Sequence, residues 1–308
     1  MTGTVVQFKV NTAAPNDLFF VELFDGKDQT GKDQTGPGRT RETPLTAANF
    51  LEYVNDASYA NTIIHRSIPG FIVQGGGFKA PTAAFGQSGG TPATITAKSP
   101  VLNEPGNTNV RGTIAMAKLG GNPNSATNQW FFNLANNNDP TDPQSLDNQN
   151  GGFTAFGRVL GNGMTAVDAM AAVPRYNRVA EYGGVTNPVG GAMGELPLRN
   201  APATLPPGYV VQPGQFVTLQ SISRVGELVY EVTSSDRDLV AASFPPGLGG
   251  TTLQLVHNPN GSGTAVITVR AASVFDPTNF KEDSFTVERQ PPAPTAPGAP
   301  GVATGLPV

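Results

Sequence analysis

Cysteine is absent from the 308 residues. The chain therefore forms no disulfide, offers no thiolate to a metal and holds no cysteine nucleophile. Histidine is almost as scarce. His65 and His257 are the only two, too few for a histidine-based metal site. Positive charge is not in excess either. Lys and Arg number 19 against 23 Asp and Glu, a net charge of −4, so no basic footprint for nucleic acid exists. No apolar run approaches the length of a membrane span. The opening Met1-Thr2-Gly3-Thr4 lacks the basic-then-apolar layout of a secretion leader. The expected compartment is the cytoplasm, or the exterior or periplasm if a leader has been removed.

What is abundant is glycine (37) and proline (28). That usage favours a turn-rich, mainly β architecture over a helix bundle. The apolar fraction of 38% is low but sufficient for packed cores. A chain of this length predicts two domains.

The densest stretch is Ile63-Ile64-His65-Arg66-Ser67-Ile68-Pro69-Gly70-Phe71-Ile72-Val73-Gln74-Gly75-Gly76-Gly77-Phe78. It reads as two short apolar strands around a Pro-Gly turn, closed by a glycine run. Period-2 alternation places Phe71 and Val73 on one face, Ile72 and Gln74 on the other. Three successive glycines let the backbone pass close to another group.

This stretch resembles the signature of the cyclophilin family of peptidyl-prolyl isomerases, Phe-His-Arg-x-x-Pro-Gly-Phe-x-x-Gln-Gly-Gly-Asp. Ile64 stands for its first Phe and Gly77 for its closing Asp; the other named positions match. Two further segments carry the resemblance. Gln129-Trp130-Phe131 follows the family's Gln-Phe-Phe, and alternation sends Gln129 and Phe131 to one face and Trp130 to the other, as core filling. Leu146-Asp147, then Phe156-Gly157-Arg158-Val159, follows the family's Leu-Asp-Gly…Phe-Gly-x-Val with a longer loop. Phe153 stands where many relatives have a pocket His, and Ser145 where they have a pocket Trp. In the strand 111–118, Lys118 replaces an Asn and adds a positive charge near Arg66. The resemblance spans roughly residues 4–224.

The resemblance implies a closed β-barrel with two capping helices. Thr43-Pro44 starts the first, with Thr43 as N-cap and Ala47, Phe50, Leu51 and Val54 on its buried face. Met164, Val167, Met170 and Ala171 form the second helical face. Strands are expected at 5–10 and 18–24, with a closing strand at 216–222. Between the first strands and the first helix, the polar segment 25–41 contains a tandem Gly-Lys-Asp-Gln-Thr repeat and reads as an exposed insertion. The segment 174–214 reads as a Gly/Pro-rich polar connection.

The implied activity is cis–trans isomerisation of X–Pro bonds, without cofactor or metal. The implied catalytic set is Arg66 and Gln74, with His65 reading equally as a catalytic partner or a structural neighbour. Phe71, Ile72, Ala117, Gln129, Phe131, Leu146 and Phe153 are the expected substrate-binding residues. Partners would be proline-containing peptides and unfolded or flexible protein segments. The missing indole at Ser145 implies weak cyclosporin binding. The alternative is a non-catalytic proline-peptide-binding or surface-display module on the same scaffold.

Residues 225–290 differ. Five short strands, at 228–232, 239–242, 253–256, 264–270 and 284–288, alternate with turn signals such as Asn258-Pro259-Asn260-Gly261. That spacing predicts a small β-sandwich, and the pattern resembles bacterial immunoglobulin- or cadherin-like domains. Residues 291–308 read as a disordered Pro/Ala/Gly tail. The expected domains are thus 1–224 and 225–290, followed by the tail.

Overall fold

A computed structural model describes residues 3–12, 17–26, 36, 38–225, 228–244, 253–273 and 280–290. The tandem repeat beyond Gly26 and the tail 291–308 lie outside the described residues. Backbone contacts divide the chain into two compact units, Met1–Val225 and Gly226–Val308.

The first unit is mainly β. Its elements in chain order are β1 (Val5–Val10), β2 (Leu18–Leu23), α1 (Pro44–Asn55), β3 (Thr62–Ile63), β4 (Arg66–Ile68), β5 (Ile72–Gly75), β6 (Thr113–Met116), β7 (Trp130–Asn133), β8 (Ala155–Val159), α2 (Met164–Ala171), β9 (Arg175–Tyr176), α3 (Pro188–Ala192), β10 (Leu196–Pro197) and β11 (Thr218–Val225). One antiparallel sheet runs β3-β11-β1-β2-β8-β6-β7-β5-β4. Its two end strands, β3 and β4, belong to the single bent segment 62–68. Within that bend, the Ile64 amide donates to the Val217 carbonyl (2.9 Å) and the His65 amide to the Gln74 carbonyl (3.2 Å). The sheet thereby curls into a barrel whose two end strands are one continuous segment.

Alternation fills the interior. Val6, Phe8 and Val10 of β1 are buried while Lys9 is exposed. Phe8 meets Phe19 at 4.9 Å between ring centroids, Phe132 at 5.4 Å and Trp130 edge-on at 5.5 Å. The apolar face of α1 joins this core, with Phe50 at 5.2 Å from Phe156. Ala166, Val167 and Met170 of α2 complete it.

The start of α1 departs from the sequence reading. Thr43 makes no side-chain cap. Instead the Glu104 carboxylate accepts from the Leu45 amide (3.2 Å) and the Thr46 amide (2.7 Å). An anion there satisfies unpaired N–H groups and opposes the helix dipole. The insertion also departs from it, because Arg39 near its end is buried rather than exposed. Its guanidinium lies 2.6 Å from Glu42, 3.5 Å from Glu22 and over the Phe24 ring.

Residues 174–216 are not merely a polar connection. β9 pairs with β10, and the Asn187 side chain caps α3 by accepting from the Val189 amide at 2.9 Å. Tyr182, Met193, Leu196, Leu198 and Val211 form a second apolar cluster with Ile63, Phe78 and Phe216 of the barrel. The scattered glycines and prolines break any period that would have revealed this face.

The second unit holds β12 (Leu228–Ser234), β13 (Val240–Ser243), β14 (Gln254–His257), β15 (Gly263–Ser273) and β16 (Phe280–Arg289). β12, β15 and β16 form one sheet, β13 and β14 another. Both sheets contribute to one small core around Leu239, Val240, Ala265 and Ile267.

Candidate active site

The site begins at the hairpin of β4 and β5. The Phe71 amide donates to the Ile68 carbonyl at 3.0 Å, and Gly70 has φ +73. A positive-φ glycine third is what a type II turn requires, and proline second is favoured there. That turn sets the register Arg66↔Gln74, Ser67↔Val73, Ile68↔Ile72.

Register then propagates across the sheet. Gln74 faces Phe131, Phe131 faces Ala115, and Ala115 faces Ala155. Residues directly opposite share a face, so Arg66, Gln74, Phe131, Ala115 and Ala155 form one row on the outside of the barrel. Trp130 and Phe132, between them in sequence, point into the core. The two alanines keep the floor low. Ile72 and Leu146, with Phe71 and Phe153, pack around Phe131 as walls.

The result is a cavity of about 230 Å³. Eight of the ten site residues expected from sequence line it: Arg66, Phe71, Ile72, Gln74, Ala117, Phe131, Leu146 and Phe153. Phe71 reaches it against strict alternation. It lies in the turn before β5, so its ring joins the side of Ile72 rather than that of Val73. Lys118 and Gln149 also line the cavity. In sequence Lys118 stands out only by its charge, and no periodicity marks Gln149, which opens the 3₁₀ turn Gln149–Gly151. Ser145 does not reach the cavity; it is buried in the turn below, its hydroxyl without a hydrogen-bond partner.

Gln129 lies behind this wall and lines an adjoining cavity. One Arg66 N–H donates to Gln74 Oε1 at 3.3 Å, and Gln74 Nε2 donates to Gln129 Oε1 at 2.9 Å. The His65 ring lies buried beside this chain of amides, its Nδ1 without a hydrogen-bond partner. The glycine run makes room for this arrangement. A Cβ on Gly76 (φ +79) would stand 2.5 Å from the Asn128 carbonyl and 2.7 Å from Trp130 Nε1, and one on Gly77 would press on the Gln129 amide at 3.0 Å.

Burial lowers the Arg66 pKa, and the nearby Glu195 carboxylate works against that. The guanidinium stays charged. His65 is buried, packs edge-on against Phe78 at 4.9 Å and does not line the cavity. Burial, then the charge of Arg66, brings its pKa from 6.5 down to about 3. The ring is therefore neutral in the folded protein, whereas the unfolded chain takes up a proton below about pH 6.5. This contribution to stability is present above pH 6.5 and is lost as pH falls toward 3. Melting temperatures between pH 7 and pH 4 should accordingly fall less steeply for His65→Phe than for the unmodified protein. Parallel slopes would refute this.

Lys118 is held at the rim. Its Nζ donates to the carbonyls of Asn150 (2.9 Å) and Gly152 (2.7 Å) and lies 4.7 Å from the Phe153 ring centroid. Burial lowers its pKa to about 8. Among the described residues no group of three or more His, Asp or Glu side chains is placed to hold a metal ion, and no helix is long and apolar enough to cross a membrane.

Comparison with known proteins bears on the same unit. Residues 39–186 match the family model described as cyclophilin type peptidyl-prolyl cis-trans isomerase/CLD. The peptidyl-prolyl cis-trans isomerase of Acinetobacter baylyi is 40% identical over 176 residues, 56% of this chain and 75% of the relative. Peptidyl-prolyl cis-trans isomerase B of Escherichia coli is 39% identical over 134 residues, 43% of this chain and 74% of the relative. A solved cyclophilin type isomerase from Cryptosporidium parvum aligns at 19% identity and a TM-score of 0.41, covering 72% of this chain and 98% of its own.

Proposed function

Because this chain belongs to the cyclophilin-type peptidyl-prolyl cis-trans isomerase family, we propose that Arg66 catalyses X–Pro rotation by donating to the proline nitrogen as the bond twists. Amide resonance gives the bond a barrier of ~18–20 kcal/mol. Twisting removes that resonance and leaves a lone pair on nitrogen. A donor aimed there stabilises the twisted state more than either planar state, the condition for catalysis. No nucleophile, cofactor or metal takes part. Gln74 orients the guanidinium and binds the substrate carbonyl. Phe71, Ile72, Phe131, Leu146 and Phe153 hold the ring apolarly, while Ala117 and Gln129 extend the surface along the peptide. His65, buried behind them and packed on Phe78, is a structural neighbour of the site.

One observation carries this reading: the permanent cation and the aromatic pocket share a register row at one cavity. A charge-assisted hydrogen bond contributes ~1.5–3 kcal/mol, about one to two decades at ~1.4 kcal/mol each. A protease-coupled isomerase assay on a proline tetrapeptide tests it, with the slow phase expected to shorten in proportion to added protein. Proline-containing peptides and flexible or unfolded chain segments are the proposed substrates.

The rim lacks an indole, since neither buried Ser145 nor Gln149 supplies that N–H or its apolar area. Cyclosporin should therefore inhibit one to three orders of magnitude more weakly than it inhibits relatives with the indole, ~1.4–4 kcal/mol. Titration in the same assay checks this, and nanomolar inhibition would contradict it.

We read residues 226–290 as a separate immunoglobulin-like module. Two small sheets around one core support that reading.

A further inference from the structure

We infer that the groove selects peptides carrying a carboxylate within two residues of the X–Pro pair, with Lys118 as the residue that reads it. The inference rests on the isomerase reading and adds its substrate preference.

The apolar cavity adjoins a second cavity of about 350 Å³, and the two share Gln74, Ala117 and Lys118. The second is largely amide- and hydroxyl-lined, by Asn122, Ser125, Thr127 and Gln129 among others. Across both, the charged lining residues are Arg66 and Lys118, and no carboxylate lines either. This is a cationic groove on a chain whose net charge is −4.

Lys118 is an unbalanced charge in that groove. It is partly buried and makes no ion pair among the described residues; its pKa shift has burial as its sole cause. Two carbonyls occupy two of its three donors. Carbonyl dipoles offset only part of the cost of taking an ammonium out of water, and a substrate carboxylate would supply the rest. The site is also preorganised. Asn150 Nδ2 donates to the Leu119 carbonyl at 3.0 Å, tying the loop beneath Phe153 to the residue after Lys118. Little side-chain freedom then remains to be lost on binding. An extended peptide advances about 3.3–3.6 Å per residue. A side chain one or two positions from a proline in the first cavity can therefore reach Lys118.

The experiment compares proline peptides that differ only in Glu, Gln or Lys at each position within two residues of the X–Pro pair. Turnover and binding, the latter by fluorescence anisotropy, are read on each. The expected ratio of Glu to Gln in kcat/KM is roughly three- to tenfold at the best position at low salt, shrinking toward one at about 1 M salt. Lys118→Met should bring the ratio to one, and Lys118→Arg should keep it. In the unmodified protein the ratio should also fade between pH 7 and pH 9 as Lys118 loses its proton. Arg66 keeps its charge throughout. Asp147, on the same loop, is turned to the Asn109 amide at 2.8 Å, and neither 119–125 nor 149–153 contains a titratable side chain. A ratio of one in the unmodified protein, or one unchanged in Lys118→Met, would overturn the inference. If Lys118→Met does not fold, the salt and pH dependence decide. Binding with the Glu preference intact but no turnover would overturn the isomerase reading and leave this one standing.

Discussion

Replacing Arg66 with alanine is expected to lower kcat/KM on a proline tetrapeptide by one to two orders of magnitude and to leave the melting temperature nearly unchanged. The two effects separate because the side chain does different work in each state. In the resting protein it is half-buried, with one long 3.3 Å bond to Gln74. Its loss leaves Gln74 still bonded to Gln129 at 2.9 Å, so no buried amide is orphaned. In the twisted state the same guanidinium meets a lone pair that planar substrate does not present. An interaction made only there appears in kcat, with KM little changed. Burial of the groove strengthens it further, since nearby water is displaced. Thermal melts and steady-state kinetics on the same preparation check both halves. Activity within twofold of the unmodified protein would remove Arg66 from the mechanism.

Trp130→Ala should produce the opposite pattern, a loss of ~3–5 kcal/mol in stability. Trp130 is fully buried and makes edge-on contacts with Phe8 at 5.5 Å and Phe132 at 5.3 Å. Gly75 and Gly76 lie against its indole, so the backbone has already closed on the ring and cannot easily collapse into the space left. A deficit of that size consumes much of the ~5–15 kcal/mol that holds a domain together. It should lower the melting temperature by roughly 6–20 °C. One residue on, Phe131→Ala removes a ring from the groove instead, and should raise KM as well as lower stability. A melt that scarcely moves for Trp130→Ala would mean that the barrel core repacks around the gap.

The adjacency of Trp130 and Phe131, one inward and one outward, was legible because period 2 holds along β7. So was the first helix, whose buried residues repeat every three or four positions. Alternation misplaced Phe71, because a turn residue follows the geometry of its turn rather than the pleat. The N-cap of α1 could not be read locally, since Glu104 comes from a distant loop and competes with the Thr43 hydroxyl beside it. The apolar cluster of 174–216 stayed hidden for a related reason. Its members are spaced by turns and meet one another, with Ile63 and Phe78 from far earlier in the chain, only once the chain folds back. Lys118 showed as a charge near Arg66, but its fixation required the carbonyls of a loop more than thirty positions away. Chemistry tied to a dense motif was visible. Arrangements assembled from far-apart pieces were not.

The bent segment 62–68 has a consequence in time. During synthesis its β4 half can meet β5 almost at once, but its β3 half waits for β11, the last strand of the first unit. Until Thr218 pairs with Ile63, Arg66 stands on a ribbon anchored at one end. A nascent chain therefore carries every groove residue well before it carries a working groove. Until that closure, none of the 28 prolines of this chain can be served by its own groove.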